Sequence, residues 1–466
     1  NLSLRRQRQM CIRDRRPNRG RGRIYRIAVA GQAPAKFTHV TSKTTDDVLM
    51  KLLNSTSYQQ RLAAQTSITK RIDSEANETS KLLCLVRTSL ENKSMTPVGR
   101  MHGVWVVARS GDVSTIDDLL NVARNDPDHR VRVQAIRAIA DLSDPDLVQH
   151  RLAAGRGDQL LASDIADLAH NAEPRVVLEV LVAMGRLGWS DAPNWLARSW
   201  KGGSAAHAHA AMQALRRADN WLATLSLLDR PNDHLTGSVD LRTIAIQAVS
   251  DRAETMIVDG VIKRLNDESD PERRSQYVDI LARVYKQPAA WEYWGFRPAP
   301  RPANSVEWEH TAAIEDVLCG TLADPDQTVR MTALKRMRRE NIHIPFQVLA
   351  DWVRTEQKTN DLSTILDALD AYPVEKARSL LLEIVRSSKR DKQDRLAAYE
   401  RYERSIAADS ASEILDLVNN IEDGLVLATV LETIGNRPDV SGESLLLDKL
   451  TSRAPEVRAA ALCALG

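Results

Sequence analysis

Asp126-Pro127-Asp128-His129-Arg130-Val131-Arg132-Val133-Gln134-Ala135-Ile136-Arg137-Ala138-Ile139 decides how this chain is built. Asn125-Asp126-Pro127 breaks a preceding helix; Asp126 is a good N-cap, Pro127 suits the first helical position, and Asp128 complements the helix dipole. Val131, Ala135, Ala138, Ile139 and Leu142 then recur at helical spacing and are the expected buried stripe. Upstream, Thr115 is placed to cap a first helix whose Ile116, Leu119, Leu120 and Ala123 make an i, i+3, i+4, i+7 stripe. The stretch is therefore the second half of a helical hairpin.

The hairpin repeats. A small-then-large apolar step returns at Ala211-Met212, Ala245-Ile246, Ala333-Leu334 and Ala461-Leu462, with weaker beats on Gly103, Val180, Tyr277, Ile365, Ala398 and Val430. From 103 to 461 the separations are 32, 45, 31, 34, 32, 56, 32, 33, 32 and 31, so two long gaps interrupt a fixed period. The turn grammar recurs at Glu173-Pro174, Asp270-Pro271-Glu272, Asp324-Pro325-Asp326 and Ala454-Pro455-Glu456. A period in this range marks a solenoid, in which each unit buries its apolar face only against its neighbours. Function is then expected on an extended surface rather than in a closed pocket.

Composition agrees. A 466-residue chain would ordinarily hold about three domains, but solenoids grow by adding units. Leu and Ala dominate the apolar residues and aromatics are only 4%, which favours an all-α chain. No apolar run approaches the roughly 18 residues of a transmembrane helix. The net charge of +2 conceals a split: residues 1–26 hold ten arginines and one acid, so the remaining 440 residues carry −7. A mildly acidic body has no general nucleic-acid character. Cys84, Cys319 and Cys463 form no CxxC pair and read as small buried apolar residues.

Residues 22–31 (GRIYRIAVAG) are the one good strand candidate, residues 32–45 read as a linker, and helical pairs begin near Asp46. The longer gap contains residues 286–309, KQPAAWEYWGFRPAPRPANSVEWE; removing these 24 from the separation of 56 restores 32. Prolines 298, 300 and 302 forbid continuous helix there. The aromatics either pack the loop back onto the solenoid or form a docking surface, for which Trp291, Tyr293, Trp294, Phe296, Arg297 and Trp308 are the candidates. The other gap, with Gly155-Arg156-Gly157, has no P-loop spacing and reads as a longer turn.

Candidate chemistry is sparse. His207 and His209 lie two apart, and such positions on a helix point in different directions, which argues against a shared metal ion. His102 reads as a hydrogen-bonded structural histidine, and Glu292, Glu307 and Glu309 as solvated acids. No GxSxG, HExxH, P-loop, Rossmann or CxxCH pattern occurs. The expectation is a non-enzymatic chain without catalytic, cofactor-binding or metal-binding residues.

The D-P-x-x-x-V-R beat at 126–132 and 324–330 resembles short HEAT-like repeats, with armadillo-like packing left open. The tetratricopeptide and ankyrin signatures are absent. This resemblance implies a right-handed α-solenoid of HEAT-like hairpins over 46–466. Three further stretches look like one family: GRIYRI resembles the last strand of a sorbosone-dehydrogenase-like β-propeller, PVGRMHGVWVVARSG (97–111) a HEAT segment that follows it, and YWGFRPAPRPANSVEWEHTAAIEDVL (293–318) the aromatic insert of those proteins. They are large secreted bacterial proteins, membrane-bound-dehydrogenase or haem-binding-domain proteins, which join a propeller, a HEAT region and a C-terminal cytochrome c domain. The resemblance implies a non-catalytic connecting scaffold, periplasmic or extracytoplasmic, whose partners are other domains of the same protein or a separate protein, with haem c carried in a domain outside this sequence. Residues 3–15, SLRRQRQMCIRDR, resemble the conceptual translation of sequencing-adapter read-through; on that reading residues 1–21 are artefact or disordered, and 22–31 is the last strand of a propeller lying upstream. The alternative is a free-standing, bilin-lyase-like HEAT protein that binds another protein; an enzyme using the Trp/Glu insert as a sugar site is a third.

Overall fold

The computed structural model describes residues 38–74, 81–111, 114–231, 238–290, 303–355, 359–404, 411–437 and 440–466. The strand expected at 22–31 and the first 21 residues lie outside them. Twenty-five α-helices are described. Apart from the single-turn Pro145–Val148, they alternate as first and second members of twelve hairpins. The chain is all-α, a HEAT-like α-solenoid, and it divides into two compact units, Asn1–Ala138 and Ile139–Gly466.

In the first unit, second helices Tyr58–Ser74 and Pro97–Arg109 pack together, as do first helices Lys81–Glu91 and Thr115–Asn125. In the second unit one layer is continuous. Pro174–Leu187 packs on Ala205–Ala218, and the series continues through Leu241–Val249, Pro271–Arg283, Gln327–Arg339, Thr359–Leu369, Lys392–Glu403 and Leu425–Gly435 to Pro455–Leu465. Each of these helices also packs on the first helix that precedes it.

The beat is the core. Gly103, Ala135, Val180, Ala211, Ala245, Tyr277, Ala333, Ile365, Ala398, Val430 and Ala461 all lie in second helices and all are buried. The large partner of the step is less constrained: Leu334 is buried, Ile246 half-buried and Leu462 exposed. Burial at the beat position is what the fold requires, and where the residue is Gly or Ala it lets adjacent second helices approach. Full burial of a Leu or Ile contributes about 1.5–3 kcal/mol, while ordering costs roughly 1–2 kcal/mol per residue. A lone hairpin cannot offset that cost, so stacking on both sides is what holds each one.

The turns show how the hairpin closes. Asp270 accepts from the Glu272 amide at 3.1 Å, with Pro271 as the first helical residue, as the spacing predicts. At 126–128 the device is doubled. Asp126 accepts from the Asp128 amide, Asp128 accepts from the Arg130 amide, and the helix starts at His129. Pro127 thus precedes the helix rather than opening it. Asp324 and Asp326 repeat the doubled arrangement. Thr115 is not a cap: it is the first residue of its helix, buried, with its hydroxyl against that of Ser110.

Other expectations change. Leu142 is 37% exposed because it sits beyond the stripe carried by Val131, Ala135, Ala138 and Ile139. Cys84 and Cys463 are exposed, and Cys319 is half-buried with its thiol 3.7 Å from the His343 carbonyl, so these thiols are not core residues. The gap between beats 135 and 180 is more than a turn. It holds Pro145–Val148, capped by Asp144, and a loop whose Gly157 amide donates to the Leu187 carbonyl at 2.8 Å. At the insert, Gln287–Pro288 pairs antiparallel with Asn304–Val306, a short ladder that no alternating pattern announces.

Candidate functional site

Two surface features stand out, one in each unit. The first is the root of the insert. Helix Pro271–Arg283 ends at Val284, and the chain leaves through the two-rung ladder. The Trp308 indole N–H donates to the Val284 carbonyl at 2.9 Å, the Thr311 hydroxyl donates to the Tyr285 carbonyl at 2.9 Å, and the Asn304 amide donates to the Arg283 carbonyl at 3.1 Å. Carbonyls left open at a helix C-terminus are thereby satisfied by the returning chain and the start of the next helix. The Tyr285 hydroxyl donates to Glu315 at 2.7 Å, and burial, then Glu315, pushes its pKa up to about 12.

The root also touches the preceding first helix, Thr255–Asp267. The Thr255 hydroxyl donates to Glu309, and the His310 ring stands 3.8 Å from Asp259, 3.6 Å from Glu309 and 5.0 Å, centroid to centroid, from the Trp308 ring. Trp308 is therefore an anchor of the root and half-buried. Trp291, Tyr293, Trp294, Phe296 and Arg297 lie outside the described residues.

The second feature is a groove of about 440 Å³ across three second helices of the first unit. Tyr58 and Leu62, one turn apart on Tyr58–Ser74, form one wall; Met101 and Trp105 on Pro97–Arg109 form the other. Tyr58 is 60% exposed and Leu62 42%. Polar side chains set the geometry. Gln65 Oε1 lies 2.6 Å from His102 Nδ1, and the Trp105 indole N–H donates to Gln134 Oε1 at 2.9 Å, fixing both rings. Tyr58 and His102 are tilted rings 5.9 Å apart, and the Arg61 guanidinium lies 5.8 Å from the Tyr58 centroid. Burial, then the positive charge of Arg61, lowers the His102 pKa, so the imidazole is neutral at pH 7.

The sequence reading missed this groove, taking His102 as a structural histidine at the start of a buried helix. The signal was present. Val104, Val106 and Val107 make the buried side of Pro97–Arg109, yet Val98, Met101 and Trp105 lie off it, an apolar excess that one packed stripe does not use.

The remaining candidates are occupied by the fold. His207 Nδ1 lies 2.8 Å from the Ser204 hydroxyl and Nε2 2.7 Å from the Pro174 carbonyl, while His209 is exposed. Glu307 is exposed and pairs with Lys286 at 3.7 Å. Glu292 lies outside the described residues. Among the described residues no group of three or more His, Cys, Asp or Glu is placed to hold a metal ion. Nor is any described helix long and apolar enough to cross a membrane.

No protein-family model and no curated protein sequence matches the chain. Among solved structures, the chain is similar to importin beta, at 14% identity over 90% of this chain and 58% of that one, with a TM-score of 0.40. It is similar to Kap95p in complex with RanGDP, at 12% identity over 90% of this chain and 56% of that one, with a TM-score of 0.39. A chain from work on the interaction between cadherin and beta-catenin aligns at 13% identity over 90% and 99% of the two chains, with a TM-score of 0.27. The chain thus spans somewhat under three-fifths of the length of the first two.

Proposed function

We propose that this chain is a non-catalytic scaffold for protein–protein or interdomain contacts, and that it is the connecting region of an extracytoplasmic propeller and cytochrome c redox protein. The observation that carries the scaffold reading is the unbroken packing of second helices from Pro174–Leu187 to Pro455–Leu465. Such a stack holds surface side chains at fixed spacing and presents them in open grooves, the arrangement by which repeat proteins offer extended binding surfaces. The insert root fits the same reading, because Asn304, Trp308 and Thr311 of the returning chain are tied to Arg283, Val284 and Tyr285 by hydrogen bonds. A segment anchored in this way loses less entropy on meeting a partner than a free loop.

The redox context rests on the resemblance of 97–111 and 293–318 to the HEAT segment and aromatic insert of sorbosone-dehydrogenase-like proteins. An extracytoplasmic location follows from that resemblance. The haem would belong to a cytochrome domain, and the contribution of this chain would be spacing and orientation.

Chemical crosslinking of the protein encoded by the intact gene tests both parts. Lys286, at the insert root, is expected to crosslink to a propeller or cytochrome domain. Crosslinks confined to the solenoid would overturn the scaffold reading. A gene that encodes neither a propeller before residue 22 nor CxxCH after residue 466 would overturn the redox context alone.

A further inference from the structure

We infer that the groove on helices Tyr58–Ser74, Pro97–Arg109 and His129–Ser143 is a docking site for an extended peptide segment of a partner protein, one that presents a carboxylate beside apolar side chains. The inference rests on the scaffold reading and names the chemistry that one of its surfaces takes.

Charge decides the occupant. Among the described residues that line the groove, Arg61 is the one with a permanent charge, and none is a carboxylate. His102 adds no charge at neutral pH, because burial and the neighbouring guanidinium hold it unprotonated. Three other arginines of the same unit are matched by acids: Arg71 by Asp46, Arg87 by Asp118 and Arg100 by Asp126. Among the described residues Arg61 has no such ion pair, and its hydrogen bonds go to carbonyls. Its Nη1 donates to Ser55 at 2.7 Å and Thr56 at 3.0 Å, which holds the side chain in place. Its Nε is buried without a hydrogen-bond partner. A carboxylate is the charge-assisted partner that complements the one guanidinium of an otherwise uncharged groove.

Shape and polarity set the rest. Tyr58 and Leu62 are exposed and Met101 and Trp105 half-buried, so together they offer apolar and aromatic surface. Gln65 and Gln134 orient the His102 and Trp105 rings, so the walls are preorganised before a partner arrives. Aromatic and arginine side chains converging on one groove are the residue types that dominate binding energy at protein interfaces.

The test uses the whole chain and a short fluorescein-labelled peptide of alternating leucine and glutamate, with glutamine and lysine counterparts, read by fluorescence anisotropy. The glutamate peptide is expected to bind at least about tenfold more tightly than the glutamine peptide, with the difference shrinking as salt rises. Arg61→Gln should remove that preference, and Arg61→Lys should keep part of it, since a lysine retains charge but not the fork. Met101→Ser should weaken all peptides alike. Circular dichroism melts confirm that each variant folds. Equal binding of glutamate and glutamine peptides, or a preference that survives in Arg61→Gln, would overturn the inference. So would binding of inorganic phosphate or acidic vesicles as tight as that of the peptide. If no peptide binds while Lys286 still crosslinks to a neighbouring domain, the groove proposal fails and the scaffold reading stands.

Discussion

Arg274, on the second helix of one hairpin, pairs with Asp324 in the turn of the next, and Arg100 pairs with Asp126 in the same way. The first pair is 50 residues apart and the second 26, and the difference is the 24-residue insert. Both arginines stand three residues before their beat, at Tyr277 and Gly103, and both acids nine before the next, at Ala333 and Ala135. Arginines occupy the first of these positions in seven of the eleven repeats, at 100, 132, 242, 274, 330, 395 and 458. Each donates to a backbone carbonyl in the last turn of its first helix or beyond it: Met95, Ala123, Leu228, Glu268, Asp324, Val385 and Ser452. One residue position thus closes the hairpin and, where an acid follows, joins it to the next.

Asp126→Ala is expected to destabilise the first unit by about 3–5 kcal/mol, because it strands a buried guanidinium. Arg100 and Asp126 are 6% and 2% exposed and share two hydrogen bonds, at 2.7 and 2.9 Å. Replacing both residues with apolar ones of similar volume should recover much of that loss. Urea titration of the two variants, with hydrogen exchange at Met95 and Val104, checks the difference.

Gly435→Ala should loosen the last pair of second helices. A Cβ there would stand 2.7 Å from the Ala464 backbone, where helix Leu425–Gly435 crosses Pro455–Leu465. Overpacking at a close crossing costs about 1–3 kcal/mol. Faster amide exchange confined to those two helices is the expected readout.

Trp308→Phe keeps a ring at the insert root but removes the donor to the Val284 carbonyl. The loss is expected at about 1 kcal/mol, with Trp308→Ala costing more. Limited proteolysis between residues 288 and 306 should accelerate in that order while cleavage elsewhere stays constant.

The Asp128 carboxyl is held down at about 2, chiefly by the Arg130 side chain; burial opposes this next in size, and the Arg130 amide adds a smaller lowering. A carboxylate depressed in the fold supports it wherever it is ionised in both states. Its contribution is thus present above the ordinary aspartate value of about 3.9 and is lost as pH falls to about 2. An NMR titration of the Asp128 carboxyl carbon in wild type and Arg130→Met should show the midpoint rise in the variant.

For His102 the sign is opposite in origin but similar in effect. Burial and Arg61 disfavour the charged ring, so the fold loses support as pH drops below the ordinary histidine value of about 6.5. Arg61→Gln should raise the His102 midpoint, followed by its ring proton shifts.

The period of about 32, read from small residues such as Ala211, Ala245 and Ala333, determined the hairpins and the face each second helix buries. Helical periodicity is local, and a stack needs only local information repeated. The turns were legible for the same reason, at Asp270-Pro271 in full and at Asp126-Pro127-Asp128 with a shift in the start of the helix. Tertiary structure alone decided that Arg274 meets Asp324 across an insertion, that Trp308 turns inward to the Val284 carbonyl, and that Tyr58, Arg61 and Trp105 line one groove. Those relationships join residues of different helices, tens of positions apart, and the register that brings them together exists only once the hairpins have stacked.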